Sequence, residues 1–299
     1  MQLSARAALE RIGYQLDRGI FPSVNDGGIV APSDSAISSI PGEEKFNGGE
    51  GNSRAGSRAG SARTPGPVGS WPRAGGTWPA GQAAPLINAV LKPYPQEELD
   101  AVHRAYPGST SWQEDDGLWL LTESALLRGI RQAALFLTGI SYARAAVRSW
   151  GFWTNLVTPP GWIGPRHTNF PDGSICAFFP DDNTWVPGDP LVELLDLYSL
   201  WALRHLHLRT VGRWPGAQAP CHPYERLLEF GEREYCSCGS GLHYAQCCRA
   251  ADLARNRIAD AVNFNLLTRG YNRRPPDTVV GFMSGHQSRP PRLADMFTS

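Results

Sequence analysis

Lysine is nearly missing from this chain. Lys45 and Lys92 are the only two in 299 residues, so almost all positive charge is arginine. Amine-directed chemistry would find few acceptors on the chain itself. An excess of either charge is missing too, since 28 basic and 28 acidic residues cancel. That removes any compositional argument for a nucleic-acid or anionic-membrane surface. No apolar run approaches the roughly 20 residues that span a bilayer, and no basic-then-apolar leader pattern opens the sequence. A cytoplasmic protein with no membrane partner is expected. No glycine-rich phosphate loop is visible, which speaks against nucleotide chemistry on this chain. Six cysteines are present, but four lie together at metal-ligand spacing and do not read as a disulfide framework. The length allows one or two domains.

The chain divides by composition. Residues 1–84 read as a low-complexity, disordered segment with one weak amphipathic helix over 5–16. From Pro41 to Pro85 Gly, Ala, Ser, Pro and Arg dominate, with a tandem Arg-Ala-Gly-Ser at 54–61. Such a stretch cannot bury enough apolar surface to offset its ordering entropy. Order is expected from about Ala84. Helical spacing covers 95–105, and strands are predicted at 118–122, 132–142 and 150–157 from their aromatic and β-branched content. A long core helix follows over 190–208, opened by Pro190. His205 and His207 near its C-terminal end should favour the imidazolium form through the helix dipole. Residues 213–234 are a linker with a short charged helix in which Cys221 and His222 read as ordinary. A helix at 250–269, with Leu253, Ile258, Val262, Leu266 and Leu267 on its apolar side, precedes a loose tail.

The chemistry concentrates in Pro159–Trp185, a proline-rich segment without helical period that presents His167, Asn169 and Cys176 in turn. A thiolate is a nucleophile, and an imidazole or amide nearby can orient it or stabilise an oxyanion. His167-Thr168-Asn169, Gly173-Ser174-Ile175-Cys176 and Trp185-Val186-Pro187 together resemble the ubiquitin-conjugating enzymes. Those carry His-Pro-Asn, Gly-x-x-Cys and Trp-x-Pro in this order, with a Pro-Pro where Pro159-Pro160 stands. Thr168 replaces the family's proline, the His-to-Cys spacing is one residue shorter, and no acidic gate is placed. The divergent bacterial branch found in anti-phage operons, such as cyclic-oligonucleotide signalling systems, is most similar.

The resemblance implies an α+β fold over 85–212, an antiparallel meander with flanking helices. It implies a thioester at Cys176, with His167 ordering the loop and Asn169 either stabilising the oxyanion or bracing the turn. The implied partners are a ubiquitin-like modifier or another protein's C-terminal tail, a nucleotidyltransferase among them, and a separate activating enzyme. Asp181 and Asp182 could orient an acceptor amine or simply be solvated. Two rivals stand beside this reading. One is an inert interaction module, and the other is a hydrolase that uses His167 as base toward Cys176.

A second constellation lies at 235–250, where Cys236, Cys238, Cys247 and Cys248 follow C-x-C-x8-C-C with glycines in the turn. Four thiolates so spaced can surround one Zn²⁺ with no open position, which makes a structural site. The stretch resembles the SEC-C motif of the preprotein translocase motor. That resemblance implies these four cysteines as ligands, and the expected product is a small knob that contacts a protein or a nucleic acid.

Overall fold

A computed structural model describes residues 5–25, 28–30, 91–127, 132–154, 160–178, 184–270 and 273–297. The low-complexity stretch at 41–85, the expected boundary at Ala84, Asp181 and Asp182 lie outside the described residues.

The architecture is mixed α+β, built on an antiparallel meander. Strands β3 (Thr110–Glu114), β4 (Gly117–Ala125), β5 (Ala133–Ser141), β6 (Ala146–Thr154) and the short β7 (Gly161–Trp162) pair in succession. Two short N-terminal strands, β1 (Ser23–Asn25) and β2 (Gly28–Val30), join through a parallel contact of Gly28 with Ala125. Side chains alternate across a strand, and here both faces are covered. Leu118, Leu120, Ala134, Phe136 and Ile140 point into one core, and Trp119, Leu137 and Trp150 into another. This explains why β4 and β5 are apolar nearly throughout rather than alternating.

The first core is closed by three helices: α1 (Ala5–Leu16), α2 (Gln96–Ala105) and α3 (Leu191–Val211). Helix α3 is buried on the sheet side and on the side against α1, so its apolar residues run almost all round it. It stops at Gly212, whose φ of 84° a side chain would resist. Tyr106 ties α2 to α3 by donating to the Asp196 carboxylate at 2.6 Å.

Four expectations are corrected. Residues 5–25 are not a loose segment: Leu9, Ile12 and Leu16 of α1 are buried in the first core. His207 packs so close to Gly13 that an added Cβ there would lie 2.2 Å from its Nε2. The tail is not loose either. Helix α7 (Asp277–Met283) and the short α8 (Leu293–Met296) form the second core with the sheet, and Leu293 fills a notch made by Gly117 and Gly139. The expected helix at 250–269 is two helices, α5 (Arg249–Ala254) and α6 (Arg257–Leu267). Asn256 breaks it because its side chain accepts from the N–H groups of Ile258 and Ala259 and so caps a new start. The predicted apolar side is exposed. His205 and His207 are not imidazolium, because burial outweighs the helix dipole. It holds His205 near 3 and His207 below its ordinary value.

The short charged helix is α4 (Pro223–Glu229), where the His222 ring accepts from the Tyr224 N–H. No described helix is long and apolar enough to cross a membrane.

Candidate functional site

Residues 163–178 leave the edge of the sheet and return as a small hairpin. Thr168 and Ile175 face each other in an antiparallel bridge. Cys176 N–H donates to the His167 carbonyl at 3.1 Å, Asn169 N–H to Ser174 at 2.7 Å, and Gly173 N–H to Asn169 at 2.9 Å. His167 and Cys176 therefore stand opposite one another although nine positions separate them. Gly173 has φ of 63°, and a Cβ there would meet the Arg274 backbone at 2.8 Å, so both the turn and the close approach demand glycine.

The hairpin is fixed from three sides. Ile175 N–H donates to the Ser149 carbonyl of β6 at 2.7 Å. Asp172 pairs with Arg148 of β6 at 2.5 Å, and its carbonyl takes the Trp150 indole N–H at 2.8 Å. Trp201 of α3 donates its indole N–H to the His167 carbonyl at 2.8 Å. Gly151 of β6 leaves room for the Trp201 ring, since a Cβ there would lie 2.7 Å from it.

Asn169 braces this turn. Its Nδ2 donates to the Ile175 carbonyl at 3.0 Å and to Ser174 Oγ at 3.3 Å, which is the bracing alternative. The His167 ring stacks on Trp214 with centroids 3.9 Å apart. Its backbone is left-handed, with φ of 50°. Gln218 decides its tautomer: the Gln218 amide nitrogen donates to Glu234 and to the Tyr235 carbonyl, so its oxygen faces Arg166 and His167. His167 Nε2 must then carry the hydrogen, leaving the lone pair on Nδ1. Burial first, and then the Arg166 charge, hold His167 well below its usual range, so the ring is neutral at pH 7.

Cys176 is half-buried and borders two cavities. One, of about 160 Å³, is walled by Leu197, Leu200, Trp201 and Arg204 of α3 together with Trp214 and Gln218. The other, of about 190 Å³, is bordered by Arg166, Phe170, Cys221, Glu225, Glu229 and Arg273. Arg273 is shared by Glu225, at 2.6 Å, and Glu229. Two carboxylates on one guanidinium leave that group net negative, and burial pushes the Glu225 carboxyl up. Cys221 differs from an activated thiol, because burial pushes it to about 12.

The four cysteines of the second constellation do meet. Their sulfurs all lie within 4.8 Å of one another, with 3.3 Å between Cys238 and Cys247 and 3.8 Å between Cys247 and Cys248. The knuckle is formed by Tyr235 bridging His243 and by Cys236 N–H donating to Leu242. Gly239 and Gly241, at φ of 77° and 72°, turn the chain between the two cysteine pairs. Tyr244 and Arg226 anchor it on Asp252, the guanidinium at 2.6 and 2.7 Å. Four such sulfurs could hold a metal ion.

The structure thus gathers His167, Asn169 and Cys176 into one loop and the four cysteines into another. Glu234 links the two: two residues before Cys236, it takes the guanidinium of Arg166, the neighbour of His167. Sequence reasoning placed Trp201 only on the apolar face of the core helix and passed over Arg166, Arg204, Trp214, Gln218 and Glu234. Arg204 did leave a signal, as a cation set among the apolar Trp201, Ala202, Leu203 and Leu206 in the middle of α3. Comparison of the chain with protein-family models, with curated proteins and with solved structures finds no match.

Proposed function

We propose that Cys176 carries an acyl group as a thioester and passes it to an amine, on a scaffold of the ubiquitin-conjugating type. The observation that carries this reading is the placement of the thiol. It sits on a braced hairpin between the meander and the following helix, and it borders a cavity on either side. Acyl transfer needs that access, because the activated carbonyl and the acceptor amine must reach one sulfur in turn. In the first step the thiolate attacks the activated C-terminal carbonyl of a ubiquitin-like modifier or similar tail and expels its leaving group. In the second an amine attacks the thioester carbonyl, loses a proton and regenerates the thiol. A separate enzyme activates the carboxyl, and an anti-phage operon is the proposed setting. His167 and Asn169 support the loop in this scheme. The net-negative Glu225–Arg273–Glu229 group suits an incoming ammonium.

The four cysteines are proposed to hold Zn²⁺. A tetrahedron of Zn–S bonds of about 2.3 Å has sulfur–sulfur edges of about 3.8 Å, and the observed separations bracket that value. With four protein ligands the ion would be structural and would stiffen a knob that contacts a protein. Metal analysis should return about one Zn²⁺ per chain, and Cys236→Ser with Cys238→Ser should lose it. Reduced, freshly purified protein without zinc would refute the assignment.

The test of the thioester is a non-reducing gel of protein captured with its operon partners. A conjugate sensitive to dithiothreitol and hydroxylamine, with a thioester mass, should form on the wild type and on a Cys221 variant, and vanish in Cys176→Ala. Conjugation retained by Cys176→Ala would leave the interaction module as the better reading. Cleavage of a supplied thioester without transfer to any amine would favour the hydrolase.

A further inference from the structure

The smaller cavity beside Cys176 has one guanidinium, that of Arg204, among its described lining residues. Arg204 has no carboxylate within ion-pair distance among the described residues. The acidic group that acts on it from beyond that distance is Asp17, which is already engaged with both terminal Arg213 nitrogens and with the Gly216 N–H. Arg204 Nε is buried and has no hydrogen-bond acceptor among the described residues. The same holds for the indole nitrogen of Trp214, a residue only 1% exposed. Both residues line the cavity that Cys176 borders. The adjacent His167 is neutral, so Arg204 is the one cation lining this cavity, and the rest of its wall is mainly apolar or aromatic. The Arg204 Nε and the Trp214 indole nitrogen are closed off even from a water-sized neighbour, so a ligand would meet Arg204 through its terminal guanidinium nitrogens, on a side chain that is only partly buried. A cation in a mainly apolar wall, with no carboxylate at ion-pair distance among the described residues, favours an anion there.

We propose that this cavity is a carboxylate subsite, in which the Arg204 guanidinium holds the C-terminal carboxylate of an extended peptide beside the Cys176 sulfur. The planar guanidinium suits a carboxylate better than an ammonium would. Position and charge explain the choice of ligand. In the scheme above the donor reaches Cys176 already activated, so the chain-terminal carboxylate met here is the one released when water cleaves the thioester, as thioester and water become carboxylate and thiol. The identification of the peptide rests on the acyl-transfer reading above. The anion subsite itself does not, and the test below needs no conjugation partner.

The probes are iodoacetate and iodoacetamide, which differ by one carboxylate next to the reacting carbon. In each, the thiolate attacks that carbon and iodide leaves. Peptide mapping by mass spectrometry follows Cys176 alone in the full-length protein. The ratio of iodoacetate to iodoacetamide rates at Cys176 should exceed that of free glutathione by roughly tenfold, the scale of one charge-assisted hydrogen bond. Arg204→Gln should abolish the excess and Arg204→Lys should keep part of it. The wild-type ratio decides the matter even if a variant fails to fold, and a ratio equal to that of glutathione overturns the subsite. Three competitors then test the ligand. Glycylglycine should protect Cys176 from iodoacetamide, while glycylglycinamide and inorganic phosphate should not. Equal protection by the amide would overturn the carboxylate, and equal protection by phosphate would overturn the peptide. Loss of conjugation in Cys176→Ala bears on the transfer reading and leaves these ratios untouched, so each claim can fail alone.

Discussion

Replacing Glu234 with alanine should unfasten the thiol loop from the cysteine knuckle. The Glu234 side chain is 1% exposed. Its carboxylate accepts from both terminal nitrogens of Arg166, from the Trp214 N–H at 2.6 Å, from the Gly231 N–H at 3.1 Å and from Gln218 at 3.3 Å. Arg166 is itself buried, and the neutral Gln218 amide is its other hydrogen-bonded partner. Truncating one half of a buried ion pair costs about 3–5 kcal/mol, because the charge left behind stays desolvated. Stranded backbone N–H groups add to that cost, while water filling the vacated space reduces it. At about 2–4 °C per kcal/mol for a chain of this size, a net loss near 4 kcal/mol lowers the melting temperature by about 10 °C. Glu234→Gln keeps the shape and one acceptor oxygen, and should fall between the two. Thermal unfolding followed by circular dichroism measures the first effect. The iodoacetamide rate at Cys176 measures the second and should change in Glu234→Ala, since Arg166 precedes His167. A melting temperature within about 2 °C of the parent would refute the argument that this carboxylate joins the two loops.

Ile12→Ala should cost about 2–5 kcal/mol in urea denaturation, since Ile12 is fully buried beneath α3; a loss below about 1 kcal/mol would return α1 to the status of an appendage. Stability should also fall on acidification. Burial depresses His167 and His205 in the folded state, so the unfolded chain binds their protons first. The stability they contribute is complete above their ordinary value of about 6.5 and drains away as pH falls toward their folded values. Asp196 works in the opposite direction: burial lifts it to about 6, so its contribution is present at low pH and lost as pH rises through that value. Two histidines outweigh one aspartate, and the protein should be about 2–3 kcal/mol less stable at pH 5 than at pH 7. Equal urea midpoints at the two pH values would contradict this.

The sheet and the long helix were readable because their side chains repeat. Leu118–Thr122, Gln132–Tyr142 and the start of the Trp150 strand each carry a dense apolar pattern, and Pro190 and Gly212 bracket α3. The cysteine cluster was readable because four thiols within thirteen positions, paired at metal-ligand spacing, stand out from the rest of the sequence. What escaped was whatever depends on partners distant in sequence. Helix α1 has little overall apolarity, and its few buried side chains look incidental until α3 is laid against them. Leu293, Met296 and Phe297 are too sparse to make a pattern, and only the Gly117–Gly139 notch explains them. The exposed side of α6 reversed the usual inference, because helical spacing of Ile258, Val262 and Leu266 does not itself supply a surface to cover them. Glu234, Trp214 and Arg204 carry no motif, since each matters only through what the fold brings beside it.

Helix α8 also governs the order in which the protein can be completed. The hairpins of the meander close between neighbours in sequence and can form early, as local contacts do. The contacts that cover the sheet span far longer loops: Arg213 meets Asp17 across 196 positions, and the Leu293 N–H meets Glu114 across 179. A nascent chain emerging from the ribosome therefore holds a sheet with one apolar face incompletely covered until residues 277–297 have been made. That intermediate exposes Trp119, Leu137 and Trp150 together, the kind of surface by which partly folded copies stick to each other. Trimming residues 293–297 should therefore show first as aggregation during expression, before any change in the alkylation rate of Cys176.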